Sequence, residues 1–229
     1  SAFSDFHQER QVRAVILTGS GDTFCSGTDL KELADTASQD DAQSQWQEAA
    51  EDYQELIESM LRFPKPIIAA INGPAYGGGL CLALGADIRL AAESATFCFA
   101  GVHHGLTGAE MGISYLLPRA VGSSYANEIL LTGRRYGAED ASRMGLVSRV
   151  HPDAELLERA LEMAAEIDEL STHGISMTKR VLWSSPECGS LAAAIDLEDR
   201  NQMLVRMTTQ NFEESMKARS EGRKPVFED

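Results

Sequence analysis

The chain has little cysteine, a deficit of positive charge and no long apolar run, and each shortage removes a class of function. Four cysteines in 229 residues (Cys25, Cys81, Cys98 and Cys188) form no C-x-x-C pair. That excludes the common metal-ligand spacings and, at this length, implies no disulfide framework. The expectation is a reduced, intracellular protein with no metal site. No stretch of about 18 uninterrupted apolar residues is present, so no membrane-spanning helix is expected. Lysine and arginine total 20 against 35 acidic residues, a net charge of −15. A surface that negative is a poor partner for phosphate backbones, which excludes a general nucleic-acid role. An anionic ligand would need a local basic patch or aimed backbone amides to overcome the global field. The start shows no basic segment followed by an apolar one, so no secretory signal is expected and the cytoplasm is the expected location. The opening SAFSDFHQERQ reads as the end of a helix and suggests that a preceding piece is missing.

What is present is ordinary for a globular chain. Hydrophobic residues make up 43% and charged residues 24% of 229, enough for one domain or one domain with a modest appendage. Residues 12–18 (VRAVILT) have strand composition and run into a Gly19-Ser20-Gly21-Asp22 turn. Phe24-Cys25-Ser26-Gly27 predicts a second extended piece, and a helical start follows at Asp29. Residues 35–45 are polar and predict a mobile loop. Residues 46–62 carry helical spacing that Pro64 and Pro66 terminate. The apolar run 67–71 (IIAAI) predicts a buried strand, and Gly77-Gly78-Gly79 opens an all-apolar helix at 80–86. Two more strands are expected at 87–92 and 95–99, with Asp87 satisfying buried backbone at a strand start. An irregular stretch follows at 103–112, then helices at 113–121 and 127–131 and a last strand at 145–150. Beyond Pro152 the pattern turns helical, at 156–170, 175–182 and 191–218. The expected boundary therefore divides an α/β core, 1–152, from a helical region, 153–229.

Two glycine-rich turns test for dinucleotide binding, and both fail. Gly19-x-Gly21 has Phe24 where the third glycine belongs, and Gly77-x-Gly79 has Leu82. Neither a phosphate-binding G-x-x-x-x-G-K-[ST] nor a G-x-S-x-G nucleophile turn occurs. The second turn suits a different task. Gly78 and Gly79 place unencumbered amides at the positive end of a buried helix, where an oxygen gaining negative charge is stabilised.

The order of motifs then becomes specific. Phe24-Cys25-Ser26-Gly27-Thr28-Asp29-Leu30-Lys31 precedes Lys65-Pro66-Ile67-Ile68-Ala69-Ala70-Ile71-Asn72-Gly73-Pro74-Ala75-Tyr76-Gly77-Gly78-Gly79 and Ala86-Asp87-Ile88-Arg89-Leu90. Ser114-Tyr115-Leu116-Leu117-Pro118-Arg119, Leu131-Thr132-Gly133, Gly145-Leu146-Val147-Ser148-Arg149 and a closing Glu221-Gly222-Arg223-Lys224-Pro225-Val226-Phe227 follow. This pattern resembles the enoyl-CoA hydratase/isomerase (crotonase) superfamily over nearly the whole chain. The resemblance implies an α/β fold, a crotonase-like spiral of β-β-α units with a C-terminal helical trimerisation region and the opening hairpin missing. It also implies acyl-CoA or enoyl-CoA as substrate with no separate cofactor, and a homotrimer or dimer of trimers. The oxyanion hole falls at the amides of Thr28 and Gly78. Ser26, Asp29, Leu30, Lys31 and Gly101 fall at CoA- or substrate-binding positions, with Lys31 toward the phosphates.

The resemblance breaks at the catalytic carboxylates. The two glutamates of a family hydratase fall at Cys81, two positions after Gly79, and at Gly101, four after Phe97. Neither residue does carboxylate work, and a cysteine in that setting reads as a buried apolar filler. Glu110, five residues before Tyr115, stands where the family's enoyl-CoA isomerases place a single glutamate, although counting forward from Phe97 shifts the match by one residue. A single base fits double-bond isomerisation. The alternatives are an unconventional hydratase and an acyl-CoA carrier that lost catalysis. Against the catalytic reading stands a surface glutamate in a loop. His103 and His104 share that loop and are expected to face solvent. Arg62, Lys65, Arg223 and Lys224 join Lys31 as candidate cations for CoA.

Overall fold

A computed structural model of the protein describes residues 6, 9, 11–27 and 42–227. The chain forms two compact units, one of Ile16–Leu61 with Ile67–Leu161, the other of Glu162–Asp229 with Arg62–Pro66 and Ser1–Val15.

The first unit is organised by the apolar strand Ile67–Ile71 (β2), whose five residues are all buried. A strand with no polar face needs cover on both sides, the condition of a parallel sheet interior. β2 pairs in parallel with Ile88–Ala92 (β4), Ile68 opposite Ile88 and Ile71 opposite Ala91. With Val15–Thr18 (β1) and Arg149–His151 (β7) they form a sheet in the order β1-β2-β4-β7. A smaller sheet runs Ala75–Tyr76 (β3), Thr96–Cys98 (β5) and Tyr136–Gly137 (β6). β3 pairs with β5 in parallel and β5 with β6 antiparallel. Asp87 does what its position predicts, Oδ2 accepting the Ile67 amide at 2.8 Å. Arg89 is structural as well, its guanidinium donating to the Leu146 and Ala86 carbonyls, each at 2.7 Å. Asn72 closes the first glycine turn, Oδ1 accepting from Gly19 N–H and Nδ2 donating to the Gly19 and Gly21 carbonyls. The Gly19 N–H, a donor that a phosphate could use, is already taken.

Helices depart from the sequence pattern in instructive places. Ala42–Arg62 (α1) starts four residues before Trp46, because its polar first turn has no apolar periodicity to show; residues 35–41 lie outside the described residues. Gly78–Gly85 (α2) is buried at seven of its eight positions. The two helices expected at 113–121 and 127–131 are both present within Ile113–Thr132 (α3), parted at Gly122, where the backbone is non-helical with φ 78°. Ala138–Met144 (α4) was not anticipated. Its signals are Glu139 and Asp140 in the first turn, Arg143 in the last and a left-handed Gly145 after it. Gly145 therefore ends a helix, and the strand expected from it begins only at Arg149.

The second unit is helical. Leu156–Asp168 (α5) leads into it, followed by Thr172–Ser184 (α6), Leu191–Thr208 (α7) and Asn211–Glu221 (α8). Ser171 Oγ caps α6 by accepting from Gly174 N–H, and Ser190 Oγ caps α7 from Ala193 N–H. The single helix expected at 191–218 breaks at Thr209, whose backbone is extended and whose hydroxyl meets the Asn211 amide, local bonding that competes with helix continuation. Three of the cations considered for CoA, Lys65, Arg223 and Lys224, are engaged inside this unit. Lys65, 6% exposed, donates from Nζ to the Phe6 and Glu9 carbonyls, and burial pushes its pKa down. Arg223 pairs with Glu214 and Glu221, and Lys224 with Glu169.

Candidate active site

Two glycine segments of the first unit meet at the start of α2. Phe24 and Cys25 donate to the Pro74 carbonyl, and Tyr76 N–H returns to the Cys25 carbonyl at 2.9 Å. A parallel bridge between Cys25 and Ala75 fixes the register. Gly77 N–H bonds the Cys98 carbonyl at 3.0 Å, so β5 holds the turn from the other side. Glycine is required by contact here. A Cβ on Gly79 would stand 2.0 Å from the Cys25 carbonyl oxygen, and one on Gly27 would stand 3.0 Å from Gly78 N. The end of the first motif thus runs along the Gly78 amide. Gly78 and Gly79 are the first residues of α2, whose opening N–H groups have no acceptor within the helix and lie at its positive end.

Cys81 follows three residues after Gly78, on the same face of α2. It is fully buried, and its thiol is pushed up to about 12, first by burial and then by the charge of Glu110. The filler reading of Cys81 agrees with that burial. Glu110 as a residue is exposed, yet partial removal from water raises its carboxyl pKa, as expected for a group at the mouth of a cleft. Two left-handed residues, Met111 at φ 50° and Gly112 at φ 77°, turn the chain from Glu110 into α3. Sequence pattern had no signal for Met111. Its Cε and Sδ lie 3.4 and 3.5 Å from where a Cβ on Gly78 would stand.

The other expected positions divide. Thr28, Asp29, Leu30 and Lys31 lie outside the described residues, and Ser26 is exposed beside Gly27. Gly101 opens a short 3-10 turn, Gly101–His104. A Cβ there would stand 2.3 Å from the Thr107 carbonyl oxygen, so the backbone is closed to the glutamate of a hydratase. Both histidines are exposed, and His103 Nε2 is tied to the Thr132 carbonyl at 2.8 Å. No group of three or more metal-ligating side chains occurs among the described residues.

The family model described as enoyl-CoA hydratase/isomerase matches residues 1–229. The protein named "Probable enoyl-CoA hydratase echA12" of Mycobacterium bovis is 47% identical over 230 residues, which span 100% of this chain and 81% of that protein. A crystal structure of enoyl-CoA hydratase from Bacillus anthracis superposes with a TM-score of 0.92 at 32% identity, covering 99% of this chain and 85% of that one. A monofunctional enoyl CoA isomerase from M. smegmatis gives a TM-score of 0.69 at 44% identity, over 85% of this chain and 81% of that one.

Proposed function

Since the chain belongs to the enoyl-CoA hydratase/isomerase family and has the crotonase fold, we propose that it moves the double bond of an enoyl-CoA thioester from C3 to C2. The observation that carries this is the contact of Met111, the residue after Glu110, with Gly78, the first residue of α2. The thioester oxygen accepts a hydrogen bond from Gly78 N–H, with Thr28 N–H as second donor. Glu110 as carboxylate removes a proton from C2 of a 3-enoyl thioester. The C2–H electron pair forms a C1–C2 double bond and pushes the carbonyl pair onto the oxygen, giving a dienolate conjugated with the intact C3–C4 double bond, which the amides stabilise. Glu110 then returns its proton to C4, leaving the double bond at C2–C3 and the carboxylate as it began.

Hydration asks for two carboxylates, and the standard positions hold Cys81 and Gly101. The crowding at Gly101 supports the one-base reading. CoA recognition falls to backbone and side chains of Ser26, Asp29, Leu30 and Lys31, and the helical region assembles a homotrimer or a dimer of trimers.

The test is turnover of a 3-enoyl-CoA and of a 2-enoyl-CoA by wild type and by Glu110→Ala. The expected result is isomerisation by wild type and a loss of about 100- to 10,000-fold in the variant, the range for a removed general base. Hydration of the 2-enoyl substrate, binding without turnover, or an unchanged variant would each overturn the proposal.

A further inference from the structure

Met111 joins the two functional ends of the site. It follows Glu110 in sequence, and its thioether end packs on Gly78, 3.4 Å from a Cβ position there. The residue after Glu110 thus lies on the first residue of α2. This arrangement depends on the backbone. Met111 is the non-glycine residue with positive φ among the described residues, a conformation that an L side chain keeps only when its surroundings hold it. The half-buried thioether against Gly78 is such a hold.

A thioester oxygen bonded to Gly78 N–H sets the position of the next carbons. The α-carbon lies about 4 Å from that nitrogen, one carbonyl and one carbon–carbon bond beyond a hydrogen bond of about 2.9 Å. It must also lie within reach of Glu110. Met111, next in sequence to Glu110 and in contact with Gly78, stands beside both constraints. We propose that Met111 determines the room at the α-carbon, so that the site takes acyl-CoA thioesters unbranched at C2 and rejects those with a methyl group there. This rests on the acyl-CoA reading above.

The experiment is calorimetric binding of hexanoyl-CoA and 2-methylhexanoyl-CoA, neither of which can isomerise, to wild type and to Met111→Ala, with thermal melting to confirm that the variant is folded. Wild type is expected to bind the unbranched ligand at least about tenfold more tightly, the discrimination available from one misfitting methyl group. In Met111→Ala that ratio is expected to fall below about threefold. Equal binding of the two ligands by wild type overturns the inference without reference to any variant. An undiminished ratio in the folded variant overturns it as well. In both cases acyl-CoA binding itself stands. Binding of neither ligand by wild type instead removes the acyl-CoA reading, and the inference with it.

Discussion

The carboxyl of Glu110 lies close enough to the buried thiol of Cys81 for its charge to add to the burial that pushes that thiol up to about 12. The turn after the 3-10 segment also meets the glycine-opened helix directly, the Met111 thioether lying against Gly78. One consequence concerns Cys81 itself. A thiol neutral to that degree, and fully buried, supplies almost no thiolate at pH 8. Iodoacetamide should leave Cys81 unmodified in the native protein and label it after denaturation, as read by peptide mass spectrometry. Labelling of native Cys81 would show that the cleft opens to solvent.

The raised pKa of Glu110 has a consequence for activity. A base works only when ionised, so kcat/KM should fall on the acid side at a pH above the ordinary glutamate value of about 4.3. The carboxyl keeps its proton to higher pH than a free glutamate, so the limb moves up, not down. Glu110→Gln should have no such limb and only residual activity. An acid limb at or below about 4.3 in wild type would show that the base is not desolvated.

Glycine is demanded at two neighbouring positions for different reasons. Gly77 has φ 51° with nothing near its missing Cβ, whereas a Cβ on Gly79 would overlap the Cys25 carbonyl. Gly77→Ala should cost about 1–2 kcal/mol through left-handed strain. Gly79→Ala should cost more, about 3 kcal/mol, because backbone must move. Denaturant unfolding of both variants measures the order, and a reversed order would contradict the close approach of the two motifs.

Met111 allows strain to be separated from contact. Alanine and glycine both remove its thioether, but only alanine retains a Cβ at φ 50°. Met111→Gly should therefore be the more stable of the two by about 0.5–1 kcal/mol, after the greater flexibility of unfolded glycine is subtracted. Equal stability would mean that the turn relaxes out of the left-handed region.

The C-terminal segment should be sensitive to acid. Glu214 accepts from the Arg223 guanidinium and from Val226 N–H, and these bonds hold its carboxyl down at about 2. A depressed carboxylate contributes stability above its unfolded value of about 4.3, and the contribution is lost as pH falls from there toward about 2. The pair is exposed, so salt should weaken it. Local protection of residues 214–226 in hydrogen exchange should drop across that window in wild type, and be low throughout in Glu214→Ala.

The sequence by itself determined the family, the α/β class, the strand 67–71, the glycine-opened helix and the role of Asp87. These are local: an unbroken apolar run, a breaker, or a motif at fixed spacing carries its meaning wherever it lies. Only the tertiary structure decided where the loop that carries Glu110 goes: the next residue, Met111, meets Gly78. In the sequence Glu110 is one acid in an irregular loop, and the contact of its neighbour Met111 with Gly78 joins residues 33 apart. Lys65 went the other way: an exposed cation by composition, it became a buried donor to two carbonyls. The helix 138–144 was missed although its charges and closing glycine were legible, because a short helix has too few apolar positions to declare a period. The left-handed Met111 had no sequence signal. Its conformation is a cost borne locally and repaid by a contact with Gly78, and a contact between distant residues exists only once the chain has folded.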